Sequence, residues 1–159
     1  MQRIGRRLKK TASYSFILTF TWVGFASAIS FMEAPVKFSA PSLSLEVGLD
    51  IGRTVFSALN KVESGLAILL LISFIISGVD KKIIFTFSIA AIILLLQTFW
   101  LLPSLSERAE IIIRGDVPPD SSDHILYIIF ESIKIIILFL LGIFQINHFT
   151  KSLIRKPLN

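Results

Sequence analysis

The stretch ILYIIFESIKIIILFLLGIFQI, residues 125–146, decides how this chain is read. It exceeds the roughly 20 apolar residues that a helix needs to cross about 30 Å of hydrocarbon, yet it carries Glu131 and Lys134 one helical turn apart. Two central charges cost roughly 5–7 kcal/mol on an insertion scale, and about sixteen Ile, Leu and Phe residues return roughly 5–9 kcal/mol. The segment therefore enters a membrane only with both charges turned toward protein or water. Charges at that depth mark a functional site by default, with a bundle-packing device as the plainer alternative.

The rest of the chain repeats the pattern. Of its 159 residues 53% are hydrophobic, and they gather into blocks rather than scattering as in a soluble domain. Spans are expected at about 13–32, 59–79, 83–102 and 124–149, with outer loops at 33–58 and 103–123. These nearly exhaust the chain and leave a single all-α domain, a polytopic membrane four-helix bundle. Pro35 disfavours helix at the residue before it and is expected to close the first helix. A helical pattern resumes near Ser44 and runs to Val79. The third helix is expected to kink or stop at Pro103, with a continuation toward Arg114 left open. Ser121, Ser122 or Asp123 is a natural N-cap for the fourth.

Charge sets the expected orientation. Ten of the sixteen Lys and Arg residues fall at one end: Arg3, Arg6, Arg7, Lys9 and Lys10, then Lys81 and Lys82, then Lys151, Arg155 and Lys156. Positive-inside bias places that end, with both termini, in the cytoplasm, and the protein in the cell (inner) membrane. The basic balance is thus a topology signal, and no nucleic-acid partner is expected. With no cysteine there is no disulfide framework and no thiolate metal site. Ala26-Ser27-Ala28 after a basic start resembles a signal-peptide cleavage site. The apolar run continues through Ile29, Phe31 and Met32, however, so a retained first span is expected.

At 100° per residue, His124, Tyr127, Glu131, Lys134, Leu138, Gly142 and Gln145 share an arc of about 80° on the fourth helix. The other helices carry similar stripes: Thr19, Trp22, Ala26, Ser30 and Glu33; then Glu46, Asp50, Arg53, Asn60, Glu63, Ala67 and Gly78; then Thr86, Ala90, Gln97, Trp100, Ser104 and Arg108. Four helices with one polar or small face each describe a bundle with a polar interior and a lipid-facing exterior. Glu33, Arg53, Asn60, Glu63, Gln97, Trp100, Arg108, His124, Tyr127 and Glu131 fall in or near the outer half. Lys134 lies near the midplane, about 15 Å below His124. The polar interior is therefore expected in the outer half, as a one-sided pocket rather than a channel. Each member also has a plainer reading. Glu131 and Lys134 make a register-fixing ion pair, Arg53 pairs with Glu63 or Glu33 at the interface, His124 is solvated, and Trp22 and Trp100 are packing anchors. Glycine-rich phosphate loops, His-Glu-x-x-His, nucleophile elbows and zinc spacings are absent from the sequence.

Ser30-Phe31-Met32-Glu33-Ala34-Pro35-Val36-Lys37-Phe38, followed by Ile51-Gly52-Arg53-Thr54-Val55-Phe56, resembles a family of four-span membrane proteins related to the transmembrane-protein-205-like group. Trp100-Leu-Leu-Pro103 with Arg108, and His124 with Glu131, fit the same outline. More distantly the architecture is similar to CopD-type copper-resistance proteins and to four-helix haem-pathway protoporphyrinogen oxidases. Those resemblances imply metal handling or haem-linked redox chemistry, but the additional His and Met residues wanted for copper are missing here.

The residues thus point to a non-enzymatic membrane protein whose outward-facing pocket binds or moves a small ligand. Glu33, Arg53, Asn60, Glu63, Gln97, Trp100, Arg108, His124, Tyr127, Glu131 and Lys134 are expected to line it. Lys134 and Arg53 are expected to hold an anionic group, with Glu131 and Glu63 as counter-charges or proton acceptors. No cofactor is expected in that reading. The alternative is a haem- or quinone-linked oxidoreductase in the same chamber, with His124 as axial ligand and Tyr127 and Lys134 as proton donors. A third reading is a structural partner protein whose ion pairs specify assembly. The expected partners are the lipid bilayer and a small molecule, with homo-oligomerisation left open.

Overall fold

Four helices follow one another along the chain: α1 Ser15–Lys37, α2 Leu45–Ser77, α3 Lys81–Ile113 and α4 Asp123–Ile154. The computed structural model describes residues 14–154, and the side chains of residues 14–151; Arg3, Arg6, Arg7, Lys9, Lys10, Arg155 and Lys156 lie outside it. No strand occurs among the described residues. All four helices are long and apolar enough to cross a membrane, the architecture of a multi-pass membrane protein. One end of the bundle carries the start of α1, the end of α4 and the α2–α3 turn. The opposite, loop end carries residues 38–44 and 114–122.

The helix ends have local causes. Ser44 caps α2, its hydroxyl accepting from the Val47 backbone N–H. Gly78 ends it at φ 67°, a left-handed conformation that a side chain would strain. Gly115, at φ 88°, turns the chain after α3 in the same way. The Asp123 N–H bonds to the Ser121 hydroxyl at the start of α4.

Neither Pro35 nor Pro103 stops its helix. Each lies just past a π turn, Ala28–Glu33 in α1 and Gln97–Leu101 in α3. The Ala34 N–H reaches back five residues to the Ile29 carbonyl, and the Leu102 N–H reaches to Gln97. A proline placed there opens a new α segment, where its missing N–H costs least. Helix therefore runs on to Lys37 and Ile113, and α2 begins at Leu45, so much of 33–58 and 103–123 is helical rather than loop. Both hairpins carry this proline-after-π-turn device at the loop end, where the bundle opens.

The four helices close a ring. α1 packs on α2 and α4, α4 packs on α3, and the far part of α3 returns onto α2. At the terminal end the ring is filled by a dry core: Leu70, Phe74, Ile83, Phe87, Ala90, Leu138 and Leu141 are all buried. Gly142 lets α1 approach α4, because a Cβ there would meet the Phe20 ring at 2.6 Å. Thr19 donates to the buried Gln145 Oε1 at 2.8 Å across the same contact. The outward faces are apolar: Ile75, Phe85, Phe99 and Ile136 are all more than half exposed. That inversion suits a hydrocarbon surround.

Candidate functional site

All four helices send polar side chains to one point in the bundle. From α4, the Lys134 ammonium lies 2.6 Å from Glu63 Oε1 on α2, 2.9 Å from Glu131 Oε2, and 2.7 Å from Gln97 Oε1 on α3. The Gln97 amide donates in turn to Glu131 Oε2 at 2.8 Å, and the Trp22 indole N–H of α1 donates to Glu63 Oε1 at 2.7 Å. None of the five is more than 1% exposed. Gln97 can serve both neighbours because its amide has a donor and an acceptor end. It also stands at the first position of the α3 π turn, a feature often associated with functional sites.

The ammonium has three protons and three acceptors, so Lys134 is fully satisfied. It has no donor to spare for an external anion, and it does not line the cavity described below. This reverses the role expected for it. Arg53 is likewise engaged, its Nε bonding Asp50 Oδ1 at 2.7 Å. The unsatisfied group lies on the acidic side: Glu131 Oε1 is buried and has no hydrogen-bond partner.

Beyond Glu131 a cavity of about 720 Å³ extends toward the loop end, within the size range of small-molecule sites. Of the five network members Glu131 alone lines it. The walls are mostly apolar and aromatic: Phe31 and Phe38, Leu49 and Phe56, Leu102 and Leu105, and Tyr127. Tyr127 stands one turn above Glu131, with its ring edge-on to Phe56 at 5.4 Å. Asn60 donates to Thr98 at 2.8 Å on another wall. Arg53, Lys61 and His124 also line the cavity, as does Lys37, whose side chain is 7% exposed.

The structure gathers most of the sequence-nominated residues here and leaves three aside. Glu63, Gln97, Glu131 and Lys134 form the network; Arg53, Asn60, His124 and Tyr127 line the cavity. Glu33 pairs with Lys37 at 3.3 Å beside the cavity, and its Oε2 is buried without a partner. Trp100 is 49% exposed on the outer surface, away from the site. Arg108 donates to the Pro119 carbonyl and, with the Ser104–Asp123 bond, ties the 114–122 loop to α3 and α4. His148 pairs with Asp80 at the terminal end. Sequence reasoning missed Trp22 as a donor, and Phe56, Lys61 and Thr98 as lining residues. The clue to Trp22 was its place on the polar stripe of the first helix.

His124 stands at the mouth, and no cluster of three or more His, Cys, Asp and Glu residues suited to a metal occurs among the described residues. No protein-family model, no curated protein and no solved structure matches this chain.

Proposed function

We propose that this protein binds a small, largely apolar molecule within the membrane, holding its one polar end at Glu131. The observation that carries the reading is Glu131 itself, a carboxyl group 1% exposed with no partner for Oε1, among the residues that line an apolar cavity. A buried acceptor without a partner costs roughly 1–3 kcal/mol, and more when it is charged. A ligand hydrogen-bond donor or cationic group would recover that cost while its apolar body covers the aromatic walls. Lys134 and Gln97 both hold the Glu131 carboxyl group by its Oε2, the preorganisation a binding site needs.

The cavity is closed toward the terminal end by the dry core, which supports a one-sided site over a channel. On the positive-inside reading the mouth faces outward and both termini are cytoplasmic. Native mass spectrometry of the detergent-purified protein tests the binding. A small molecule released from the wild type should be absent from Leu105→Trp, which fills the cavity from its wall. Equal occupancy of the two would refute the site.

A further inference from the structure

We infer that the ligand is a lipophilic organic cation, taken up in exchange for one proton from the Glu131 network; this rests on the cavity being a binding site.

The charges of the network do not balance. The network holds two carboxyl groups, Glu63 and Glu131, and one ammonium, Lys134; its other members, Trp22 and Gln97, are neutral. With both carboxyl groups ionised it is one unit negative in the middle of a membrane bundle, and uncompensated buried charge is costly. One positive charge restores the balance. A proton can supply it, and so can a cation seated against Glu131 Oε1, the oxygen left without a partner in the network. The two compete for one carboxylate, so the arriving cation displaces the proton, which leaves to water.

The walls and the surrounding charge favour the same class. Phe31, Phe38, Phe56 and Tyr127 line the cavity, and aromatic faces attract cations most strongly where water is excluded. The chain already uses two of these rings in this way, with the Lys37 ammonium 5.2 Å from the Phe38 ring centre and 6.0 Å from that of Phe56. From Glu33 to Lys134 the loop half carries ten of the eleven acidic residues against six basic ones, Asp80 being the exception. Glu33 offsets Lys37 and Asp50 offsets Arg53. The groups facing Glu131 within the network are Lys134 on its own helix, Glu63 on α2 and the non-titrating Trp22 and Gln97, while the cavity that it lines also carries Tyr127, the Lys37 ammonium of α1 paired with Glu33, and Arg53 of α2 paired with Asp50. Lys61 and His124 stand farther out at the mouth.

Three probes of similar bulk and different charge provide the test: tetraphenylphosphonium, neutral triphenylphosphine oxide and anionic tetraphenylborate. All three are titrated into the full-length detergent-purified protein by calorimetry, in buffers of differing ionisation heat. The cation should bind at least about tenfold tighter than the neutral probe, release one proton, and gain about tenfold in affinity per pH unit while the network is protonated. Glu131→Gln should bring the cation-to-neutral affinity ratio to within about threefold of one. Glu63→Gln, outside the cavity, should do the same, because it too leaves a balanced pair. The proton count on the wild type needs no variant to fold. Equal binding of cation and neutral probe, no proton release, or preference for tetraphenylborate would overturn the cation assignment and leave the pocket standing. Failure of wild type and Leu105→Trp alike to hold any probe would remove the pocket, and the cation assignment with it.

Discussion

Replacing Lys134 by Met removes the hub of the buried network, and the structure allows the consequence to be sized. Three contacts of 2.6–2.9 Å disappear, and the carboxyl groups of Glu63 and Glu131 lose their only positive partner. Breaking a buried ion pair from one side costs roughly 3–5 kcal/mol, most of it from the charge left behind. Interhelical hydrogen bonds inside membranes are worth roughly 0.6–1.7 kcal/mol each, so the two that Lys134 makes, to Glu63 and Gln97, supply part of that loss. Lys134→Met should therefore lose about 3–5 kcal/mol. Adding Glu131→Gln should recover only part of this, because Glu63 keeps a charge answered by Trp22 alone. Adding Glu63→Gln as well should bring the protein back to within about 1 kcal/mol of wild type, since balanced neutral replacement of a buried pair is often harmless. Reversible unfolding in mixed micelles is the assay. A Trp100→Phe background leaves Trp22, one bond from the network, as the only indole. Lys134→Met within about 0.5 kcal/mol of wild type would refute the reasoning, as would a triple variant no better than the single one.

Other perturbations read other parts of the molecule. Gly142→Leu forces a side chain into the Phe20 ring and should cost about 1–3 kcal/mol by overpacking in the same assay. Thr19→Val deletes the donor to Gln145 Oε1 and should cost about 0.6–1.7 kcal/mol; a neutral result would show that Gln145 re-pairs. Trp22→Phe leaves Glu63 without its indole donor and should cost about 1–3 kcal/mol, followed by far-ultraviolet circular dichroism because the indole reporter is gone. Because the chain has no native cysteine, Pro118→Cys and Lys82→Cys report orientation directly. A membrane-impermeant maleimide should label the first in intact cells, and the second only after permeabilisation.

Much of the arrangement was legible because polar residues are rare in apolar helices. Glu131, Lys134 and Gln145 stand out on residues 125–146, and a period of 3.6 puts them on one face. Glu63 and Gln97 are conspicuous for the same reason, and each proved buried in the interior. Trp22 was harder, since an indole reads as an apolar anchor until its distance to Glu63 is known. The charge a site offers was harder still. Sequence leaves Lys134 either holding an external anion or paired with Glu131, whereas counting its three acceptors leaves Glu131 as the network group with an unpartnered oxygen. Pro35 reads as a stop, and Pro103 as a kink or a stop, because the π turns before them have no sequence signature. The π turn at Gln97–Leu101, which includes Trp100 and precedes Arg108, also breaks the stripe on which regular helical spacing placed them. A turn closing over five residues instead of four shifts the face of everything after it, and one residue is worth about 100° of rotation.

The claim on which all of this rests is that Glu131, alone among the buried network residues, is open to the cavity. Dicyclohexylcarbodiimide, a small apolar reagent that couples to carboxyl groups within membranes, tests it on the unmodified protein, with the adducts located by peptide mass mapping. The account predicts an adduct on Glu131, none on Glu63, and loss of the Glu131 adduct in Leu105→Trp. Modification of Glu63 to the same extent, or a Glu131 adduct that survives in Leu105→Trp, would contradict it.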